Sequence, residues 1–420
     1  MTIANHGWRT IVTDVVVFGV AFGLANVISY LYVVIAGRTL LPAQFGVFNA
    51  LLGVIAISGF LAASLQLAIT QAATINPSRR ALAALMRGTW RIALPGIALL
   101  TLASMPFAAA IGASATEVML CGVTMLVIFL ACTPLGFLGG SSRIRAQAGV
   151  NLLGTLVRLG VGWPLMSLGV GVAGGVLGYL SSFAAVFGLA YCTSWYLDAN
   201  HPPEDLGNVP PLRLEASAIA TFVLAFAPFS LDQLLVQGFA PSLGGDYAAV
   251  ATMAKLVFFG AYPVMAVAYP HLLRRSGERS RARLAAVTAV GVICIAMSLA
   301  WVLAAFPRQL TAMFFADRFQ DVVPHVGPLA FGVACFSLSA IGAHALIAWG
   351  SRIGFLPSLV ALPAGVALFA FRHDSLAAVV SNQVWIYGLQ LVLMLAALVV
   401  TIGRSLNREH SPATSAATKP

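Results

Sequence analysis

The sequence predicts an all-α membrane protein with about 12 transmembrane helices, arranged as two lobes of six helices each. Of the 420 residues, 60% are apolar and only 9% are charged, and the mean hydropathy is +0.93. Soluble chains, by contrast, carry roughly 25% charged residues. The apolar runs are long and lack the alternation of outer-membrane barrel strands. In addition, one helical-hairpin pattern occurs twice along the chain.

The repeated hairpin opens each half of the sequence. From Ser29 to Leu52, an apolar run, a turn around Pro42 and a second apolar run follow one another. A related pattern, with Pro241 at its turn, runs from Phe229 to Thr252. Because each half holds an even number of predicted spans, both halves enter the membrane from the same side. A parallel repeat of this kind predicts a central substrate site that opens alternately to the two sides.

The apolar runs define the spans and the divisions between them. The predicted spans cover residues 15–36, 46–70, 89–111, 118–139, 148–168, 172–196, 216–238, 247–269, 284–306, 326–349, 353–371 and 376–402. The resulting segments are an N-terminal lobe over 1–196, a proline-rich cytoplasmic linker over 197–215, a C-terminal lobe over 216–403 and a disordered cytoplasmic tail over 404–420. The run over 15–36 is too long for a cleavable signal and is interpreted as a permanent span.

The basic residues are distributed asymmetrically around these spans. With the N-terminus in the cytoplasm, 17 of the 23 basic residues fall on the cytoplasmic side and four on the outer side. This bias follows the positive-inside rule and places both termini in the cytoplasm. The net charge of +10 is therefore interpreted as a topology signal, and we expect no nucleic-acid partner.

Motifs for catalysis, cofactors or metals are missing from the sequence. It contains no Walker A loop, nucleophile elbow or HExxH zinc helix. The stretch from Gly169 to Gly174 matches GxGxxG, but it lies at a membrane turn, and its continuation to Gly178 predicts close helix packing. The five cysteines show neither disulfide nor zinc spacing. We therefore expect a protein that is not an enzyme and holds no cofactor or metal.

Arg158 is a charged residue near the middle of the fifth predicted span. A charge placed in hydrocarbon costs on the order of 3 kcal/mol or more, so such residues are commonly functional. The residues that share its helix face form a polar stripe: Asn151, Thr155 and Gly162. The stripe rises from Arg143 and Arg145 at the cytoplasmic entrance, and guanidinium groups suit phosphate oxygens. The alternative is an arginine satisfied by backbone carbonyls or by snorkelling.

Asp232 lies in the seventh predicted span, four residues after Pro228. Proline leaves a helical carbonyl without its partner, and an acid beside such a break is a candidate cation or proton site. The alternative is an internal ion pair with Lys255 in span eight, and the two interpretations are compatible if the pair opens during transport. Lys255 is also a candidate ligand for an anionic head group. His344, in span ten, is interpreted as a packing residue, with a proton relay as the alternative.

Three stretches of the sequence resemble the bacterial polysaccharide flippases of the Wzx type. The first, AGRTLLPAQFGVFNALLGVIAISGF, has a basic residue, a proline-centred turn and Phe-Gly leading into span two. The second, GFLGGSSRIRAQAGVNLLGTLVRLG, links spans four and five, and the third, LDQLLVQGFAPSLGGDYAAVATM, has an Asp followed by Gly-x-Tyr-x-x-Ala. These flippases belong to the multidrug/oligosaccharidyl-lipid/polysaccharide exporter (MOP) superfamily.

The resemblance implies a MATE-like fold of two six-helix lobes around a central cationic cavity. It implies alternating-access transport of an undecaprenyl-diphosphate-linked oligosaccharide from the inner to the outer leaflet of the bacterial inner membrane, for surface polysaccharide biosynthesis. Arg143, Arg145 and Arg158 would receive the diphosphate, and Asp232 would lie in the cavity wall. The implied partners are the lipid-linked oligosaccharide, membrane lipids and polysaccharide polymerase or export machinery. Span two departs from the pattern, because the stretch from Gly59 to Gln66 lacks the arginine that relatives often carry there.

Two other function classes compete with this interpretation. A MATE-type drug or cation antiporter would need a coupling acid in span one or seven, and Asp232 is the candidate. A membrane-embedded glycosyltransferase or polymerase would need large outer loops and an acid pair. The longest predicted outer loop, Pro307 to His325, is short, and no DxD motif is present.

Overall fold

The computed structural model describes residues 8–76, 78–197, 216–274 and 278–409. The chain divides into two compact units, Met1–Leu214 and Glu215–Pro420, which we call lobe 1 and lobe 2. Most of the predicted linker 197–215 and the predicted tail beyond Glu409 lie outside the described residues. The start of that tail, from residue 404, is helical, because the last helix continues to Glu409.

Lobe 1 is built from long helices joined by short turns. In its described part these are α1 Trp8–Thr39, α2 Pro42–Ile75, α3 Arg79–Ile111, α4 Ala115–Gly140, α5 Ile144–Leu165 and α6 Val172–Leu197. A π-helical turn, Met166–Val170, extends α5 toward α6. The chain then turns at Gly169 and Gly171, whose φ angles of 86° and 67° favour glycine.

Lobe 2 repeats this plan with one additional short helix. Its described helices are α7 Ala216–Phe239, α8 Gly244–Arg274, α9 Glu278–Ala305, α10 Pro307–Phe315, α11 Val323–Ala348, α12 Leu356–Phe371 and α13 Leu376–Glu409. Two 3-10 turns, Pro241–Leu243 and Gln320–Val322, precede α8 and α11.

Local sequence signals explain where several helices begin. Pro42 is the first residue of α2, where a proline removes no hydrogen bond that the helix needs. The Ser78 hydroxyl accepts a hydrogen bond from the Ala81 N–H at the start of α3. At α4, the side chains of Ser114 and Glu117 each accept from the other residue's backbone N–H.

The all-helical membrane fold predicted from the sequence is confirmed. Each predicted span falls on one of the helices, with ends that differ by up to ten residues, and ten helices of the described chain are long and apolar enough to cross a membrane. Of the other two spans, α12 is a shorter apolar helix and the third predicted span lies within α3. The predicted outer loop from Pro307 to His325 was wrong in one respect, because it contains the helix α10.

Small residues bring helices of lobe 1 close together. A Cβ added at Gly136 of α4 would lie 2.8 Å from the carbonyl oxygen of Gln66 in α2. One added at Gly140 would lie 2.5 Å from the carbonyl oxygen of Thr70. Glycine at these positions allows the α2 and α4 backbones to approach, which is how membrane helices gain packing without a hydrophobic driving force.

Candidate functional site

The first hairpin places a buried tyrosine at the centre of lobe 1. Tyr32 of α1 is fully buried, and its hydroxyl donates a hydrogen bond of 2.8 Å to the Gly175 carbonyl of α6. Its ring meets Phe48 and Tyr179 edge to face, at centroid distances of 6.3 and 5.6 Å. A hydrogen-bonded tyrosine thus joins α1, α2 and α6 within this lobe.

The glycines of the GxGxxG-like stretch pack helices and form no nucleotide site. Gly178 has only a hydrogen where a Cβ would collide with the Tyr32 hydroxyl, and Gly175 leaves room for the Phe48 ring. Gly174 packs against the end of α5, with an added Cβ only 3.0 Å from Leu165. The prediction of close helix packing at this turn is therefore confirmed.

Arg158 lies inside lobe 1, between α1, α5 and α6. Its side chain is only 8% exposed. One terminal nitrogen donates to the Ser29 hydroxyl at 3.2 Å and the other to the Ser182 hydroxyl at 3.3 Å. The guanidinium carbon lies 4.0 Å from the centre of the Tyr179 ring, a cation–π distance. Hydroxyls and an aromatic face therefore surround this cation.

The positive charge of Arg158 is not neutralised within the described chain. None of the described carboxylates forms an ion pair with it, and its buried Nε–H has no hydrogen-bond partner among the described residues. Hydroxyl dipoles and an aromatic quadrupole attract a cation, but neither carries a compensating charge. A buried charge of this kind is costly unless an anion pairs with it. The described part of lobe 1 therefore contains a buried cation that is hydrogen-bonded but has no counter-ion.

The predicted polar stripe on α5 is present, but it does not gather its arginines at one point. Thr155, Arg158 and Gly162 are all buried on one face of α5. Arg143 caps the N-terminus of this helix and is half-buried, and Arg145 is exposed in its first turn. Since Arg145 and Arg158 are 13 residues apart, about 20 Å separates them along the helix axis. One diphosphate cannot contact both ends of this stripe at once.

In lobe 2, Asp232 and Lys255 form an ion pair. The Lys255 Nζ lies 2.8 Å from Asp232 Oδ1, and the Tyr247 hydroxyl donates to Asp232 Oδ2 at 3.1 Å. The Gln233 backbone N–H donates a third hydrogen bond to Oδ1, at 2.7 Å. The carboxylate is 1% exposed and the lysine side chain 20%. The ion pair with Lys255 was one of the two interpretations of Asp232, and the structure confirms it, so the carboxylate charge is compensated by a neighbour in the same lobe.

The second hairpin is held together by polar contacts at the start of α8. The Gln233 side chain donates from Nε2 to the Gly244 carbonyl at 2.7 Å. The Gln237 side-chain oxygen lies where a Cβ on Gly244 would fall, so only glycine accommodates it. These contacts fix α8 against α7 and so set the position of Tyr247 opposite Asp232.

Two glutamines of α13 bond to backbone carbonyls of α7 near its internal proline. Pro228 itself has no N–H to donate to the Leu224 carbonyl. Gln383 Nε2 of α13 donates to the Pro228 carbonyl at 3.0 Å, and Gln390 Nε2 donates to the Ala225 carbonyl at 2.8 Å. Gln390 also donates to the Ser358 hydroxyl of α12 at 3.3 Å. Two glutamines thus bind α13 to the segment of α7 that contains Pro228.

His344 is a packing residue in this lobe. Its Nδ1 bonds with the Ala340 carbonyl of the same helix at 2.8 Å. Its ring meets Phe222, Phe226 and Tyr269 edge to face. An aromatic cage and an intrahelical hydrogen bond favour the packing interpretation over a proton relay.

Sequence reasoning missed the residues that complete both charged sites. These are Ser29, Tyr179 and Ser182 around Arg158, and Tyr247, Gln383 and Tyr387 near Asp232. Ser29 and Tyr247 lie inside the two hairpin stretches, so the repeat could have indicated both as candidate site residues. Among the described residues, no group of three or more His, Cys, Asp or Glu side chains is arranged to hold a metal ion.

Solved structures with a similar fold include membrane transporters. An inward-facing multidrug resistance MATE family transporter of the MOP superfamily has a TM-score of 0.65 and 16% identity, covering 92% of this chain and 96% of that one. The lipid II flippase MurJ, in an inward closed conformation, has a TM-score of 0.70 and 11% identity, covering 92% and 87%. The chain has the fold of the MOP-superfamily transporters.

A third similar structure is a MOP-superfamily transporter from Pyrococcus furiosus, whose binding pocket is described as having reversed polarity. It has a TM-score of 0.65 and 15% identity, and it covers 93% of this chain and 95% of its own. No family model and no curated protein sequence matches the chain. The protein is thus a multi-span membrane protein whose structural neighbours are transporters and a flippase, not enzymes.

Proposed function

We propose that the protein is a flippase of the bacterial inner membrane that moves a diphosphate-linked oligosaccharide lipid from the inner to the outer leaflet. The observation that carries this proposal is the buried guanidinium of Arg158, which has no carboxylate partner in the described chain. A phosphate oxygen would supply the missing negative charge and an acceptor for the unpaired Nε–H.

The distribution of charge favours an anionic over a cationic cargo. Arg158 and Asp232 are the charged side chains that are buried among those the structure describes. Asp232 is paired with Lys255 and hydrogen-bonded to Tyr247, so its charge is compensated without a cargo. Arg158 is not compensated. A cationic drug would gain little at a carboxylate already paired and would be repelled by the free guanidinium.

Arg143 and Arg145 are proposed to receive the diphosphate before it reaches Arg158. They stand at the end of α5 that the charge bias places in the cytoplasm, about 20 Å from Arg158 along the helix. A head group would meet them in succession as it moves along the polar face of α5. We propose that the two lobes then alternate in access, and that polymerase or export machinery takes up the delivered lipid.

Asp232 is proposed to couple transport to a proton rather than to a metal ion. Its carboxylate oxygens accept from Lys255, Tyr247 and the Gln233 backbone. The Lys255 ammonium thus balances the charge of the Asp232 carboxylate in the way that a bound metal cation otherwise would. Protonation of Asp232 would remove its attraction for Lys255 and release that side chain, which would then be available to an anionic head group.

A MATE-type antiporter of drugs or cations is the second candidate. The fold itself is equally consistent with it, since both MATE transporters and MurJ are neighbours. The neighbour described with reversed pocket polarity supports the view that this fold does not determine the charge of the cargo. Asp232 is the feature that favours an antiporter, because it is a buried acid one turn after a proline within α7.

Deletion of the gene separates the two candidates. A flippase predicts that lipid-linked oligosaccharide accumulates on the inner leaflet and that surface glycan disappears. An antiporter predicts normal surface glycan together with increased sensitivity to cationic drugs, and that result would overturn the flippase proposal.

Replacement of Arg158 tests the observation on which the proposal rests. We expect Arg158→Met to weaken head-group binding about 10- to 100-fold, the effect of losing charge-assisted hydrogen bonds, and to abolish export. Because the variant removes an uncompensated buried charge, its thermal stability should be unchanged or raised. Arg38→Ala, an exposed arginine at the predicted outer turn, is the control. Normal export by Arg158→Met would remove Arg158 from the mechanism.

A further inference from the structure

One face of α13 carries a line of buried oxygen atoms that lack hydrogen-bond partners. Gln383, Tyr387 and Gln390 follow one another at steps of four and three residues, so they share one helix face. They are 1%, 0% and 0% exposed. Gln383 Oε1 and Gln390 Oε1 have no hydrogen-bond partner among the described residues, and the Tyr387 hydroxyl, which lies beside the Gln383 side chain, makes no hydrogen bond of ordinary geometry with any of them. We call these three residues the α13 polar line.

The geometry of the two amides explains why their oxygens remain unpaired. Each glutamine uses its Nε2 to donate to a carbonyl of α7, Gln383 to Pro228 and Gln390 to Ala225. Exchanging the nitrogen and oxygen of either amide would place two acceptors against each other and lose that bond. The oxygens therefore point away from α7 carbonyls and require a donor from elsewhere. Buried acceptors in proteins are seldom left without one.

The α13 polar line leads toward the Asp232–Lys255 pair. Gln383 contacts α7 at Pro228, one turn before Asp232. Tyr387 lies beside the Gln383 side chain and close enough to Asp232 to interact with its charge. At its other end Gln390 reaches Ser358, two residues after α12 begins at Leu356. The line therefore connects the ion pair with the end of lobe 2 at which α12 starts.

The chemistry of the line selects its ligand. The two amide oxygens require hydrogen-bond donors, the Tyr387 hydroxyl can both donate and accept, and the nearby carboxylate already has the Lys255 ammonium as its counterion. A second cation would add an uncompensated charge to a buried site. Water supplies donors without charge and typically makes two to four hydrogen bonds when buried.

We propose that the α13 polar line binds a chain of water molecules that connects Asp232 with the α12 end of lobe 2. From Gln383 to Gln390 the line extends about 10 Å, a length that about three or four waters bridge at ordinary hydrogen-bond distances. The inference rests on the proton-coupling role proposed for Asp232 and supplies its path. A proton enters from bulk water at the α12 end. Each water of the chain accepts a proton on one side and passes one of its own to the next oxygen, so that every O–H bond that breaks is matched by one that forms. The last transfer forms the Oδ–H bond of Asp232.

Hydroxyl-radical footprinting of the full-length protein in lipid nanodiscs tests the water chain directly. Radicals generated from water by an X-ray pulse oxidise aromatic rings that lie next to bound water, even in the interior. Tyr387 and Tyr32 form a matched pair, because both are fully buried but the Tyr32 hydroxyl is satisfied by the Gly175 carbonyl. We expect Tyr387 to be oxidised several times faster than Tyr32. Equal rates would overturn the proposal.

Two glutamine variants sharpen the result. Gln383→Leu removes one acceptor and fills part of the line, so Tyr387 oxidation should fall to the level of Tyr32. Gln237→Leu is the control, since Gln237 is also buried but packs against Gly244 at the hairpin turn; it should leave Tyr387 oxidation unchanged. If Gln383→Leu fails to fold, the comparison of Tyr387 with Tyr32 in the unaltered protein decides alone.

The same measurement excludes a metal cation and separates this inference from the proposed function. Loss of Tyr387 oxidation in sodium chloride, but not in choline chloride, would show that the oxygens bind sodium and would overturn the water assignment.

The footprinting experiment does not depend on transport activity. If Tyr387 is oxidised as expected but gene deletion leaves surface glycan unchanged, the flippase proposal is rejected and the water chain is kept. If Tyr387 is not oxidised but gene deletion abolishes surface glycan, the water chain is rejected and the flippase proposal is kept.

Discussion

Tyr32 and Asp232 lie in the first helices of the two hairpin stretches, ten and nine residues before the turn prolines Pro42 and Pro241. Both are buried. Tyr32 is a neutral donor that bonds a backbone carbonyl, whereas Asp232 is an anion that accepts from Lys255 and Tyr247. The buried polar residue of the first hairpin therefore serves packing, whereas that of the second hairpin carries a charge.

The Asp232–Lys255 pair should show strong coupling in a double-mutant cycle. Lys255→Met leaves a buried carboxylate without its counterion, a change that typically costs about 3–5 kcal/mol. The double variant Asp232→Asn/Lys255→Met removes both charges and should be more stable than Lys255→Met alone. Unfolding of the purified protein in mild detergent measures these free energies. We expect an interaction energy of about 1–3 kcal/mol.

Asp246 supplies the control for this cycle. It lies at the start of α8, nine residues from Lys255, which is about 14 Å along the helix. Asp246→Asn combined with Lys255→Met should therefore give additive free energies of unfolding. Additivity in the Asp232 cycle as well would contradict a direct ion pair.

At the scale of helices, α5 and α6 pack closely where they meet the Tyr32 side chain of α1. Gly162 and Gly178 both lack the Cβ that would collide with the Tyr32 hydroxyl. The Gly178 Cβ would also lie 2.8 Å from the Gly162 Cα. This contact fixes the face of α5 that carries Arg158, because Gly162 is one turn away on the same face.

Gly162→Ala should destabilise lobe 1, and Gly160→Ala should not. The added methyl at position 162 overlaps the Tyr32 hydroxyl, which is held by Gly175, and overpacking of this kind costs about 1–3 kcal/mol. Gly160 lies on the same helix with nothing within 4 Å of an added Cβ. Its alanine variant should be neutral or slightly stabilising through helix propensity. The thermal midpoints of the two purified variants provide the test, and equal midpoints would contradict the close approach.

The helices could be predicted from the sequence because each long apolar run can cross a membrane only as a helix. The partners of Arg158 could not be predicted in this way. Hydropathy and basic residues delimit spans without knowledge of neighbours. The short helix α10 was missed because its nine residues form a helix within a turn that composition alone describes as a loop. Ser29, Tyr179 and Ser182 come from α1 and α6, so their approach to Arg158 depends on how these helices pack against α5. The pairing of Asp232 with Lys255 was predictable because opposite charges in adjacent spans have a strong reason to meet.

At the scale of the whole molecule, the fold and the charges give different kinds of information. The fold is shared by drug transporters and by a lipid II flippase, and so it does not select a cargo. Charge does more. The buried guanidinium of lobe 1 is the basis for an anionic cargo, and the bias of 17 to four in basic residues predicts which ends of the helices face the cytoplasm.

The predicted orientation has a direct test at the two ends of α2. This helix has 34 residues and is therefore about 50 Å long, well beyond the roughly 30 Å of the hydrocarbon core. Leu41, just before it begins, is 62% exposed, and Ile75, its last residue, is 68% exposed. A cysteine at either position should be accessible to an aqueous reagent on its own side of the membrane, and neither substitution alters the basic residues that set the topology.

In a cysteine-free background, we expect Leu41→Cys to react with a membrane-impermeant maleimide in intact cells with a permeabilised outer membrane. Ile75→Cys should react only after the inner membrane is also opened, since the charge bias places that end in the cytoplasm. Full reaction of both variants in solubilised protein is the control for accessibility. The opposite pattern would reverse the orientation. It would also place Arg143 and Arg145, at the start of α5, on the outer side, where they could not receive a head group from the cytoplasm.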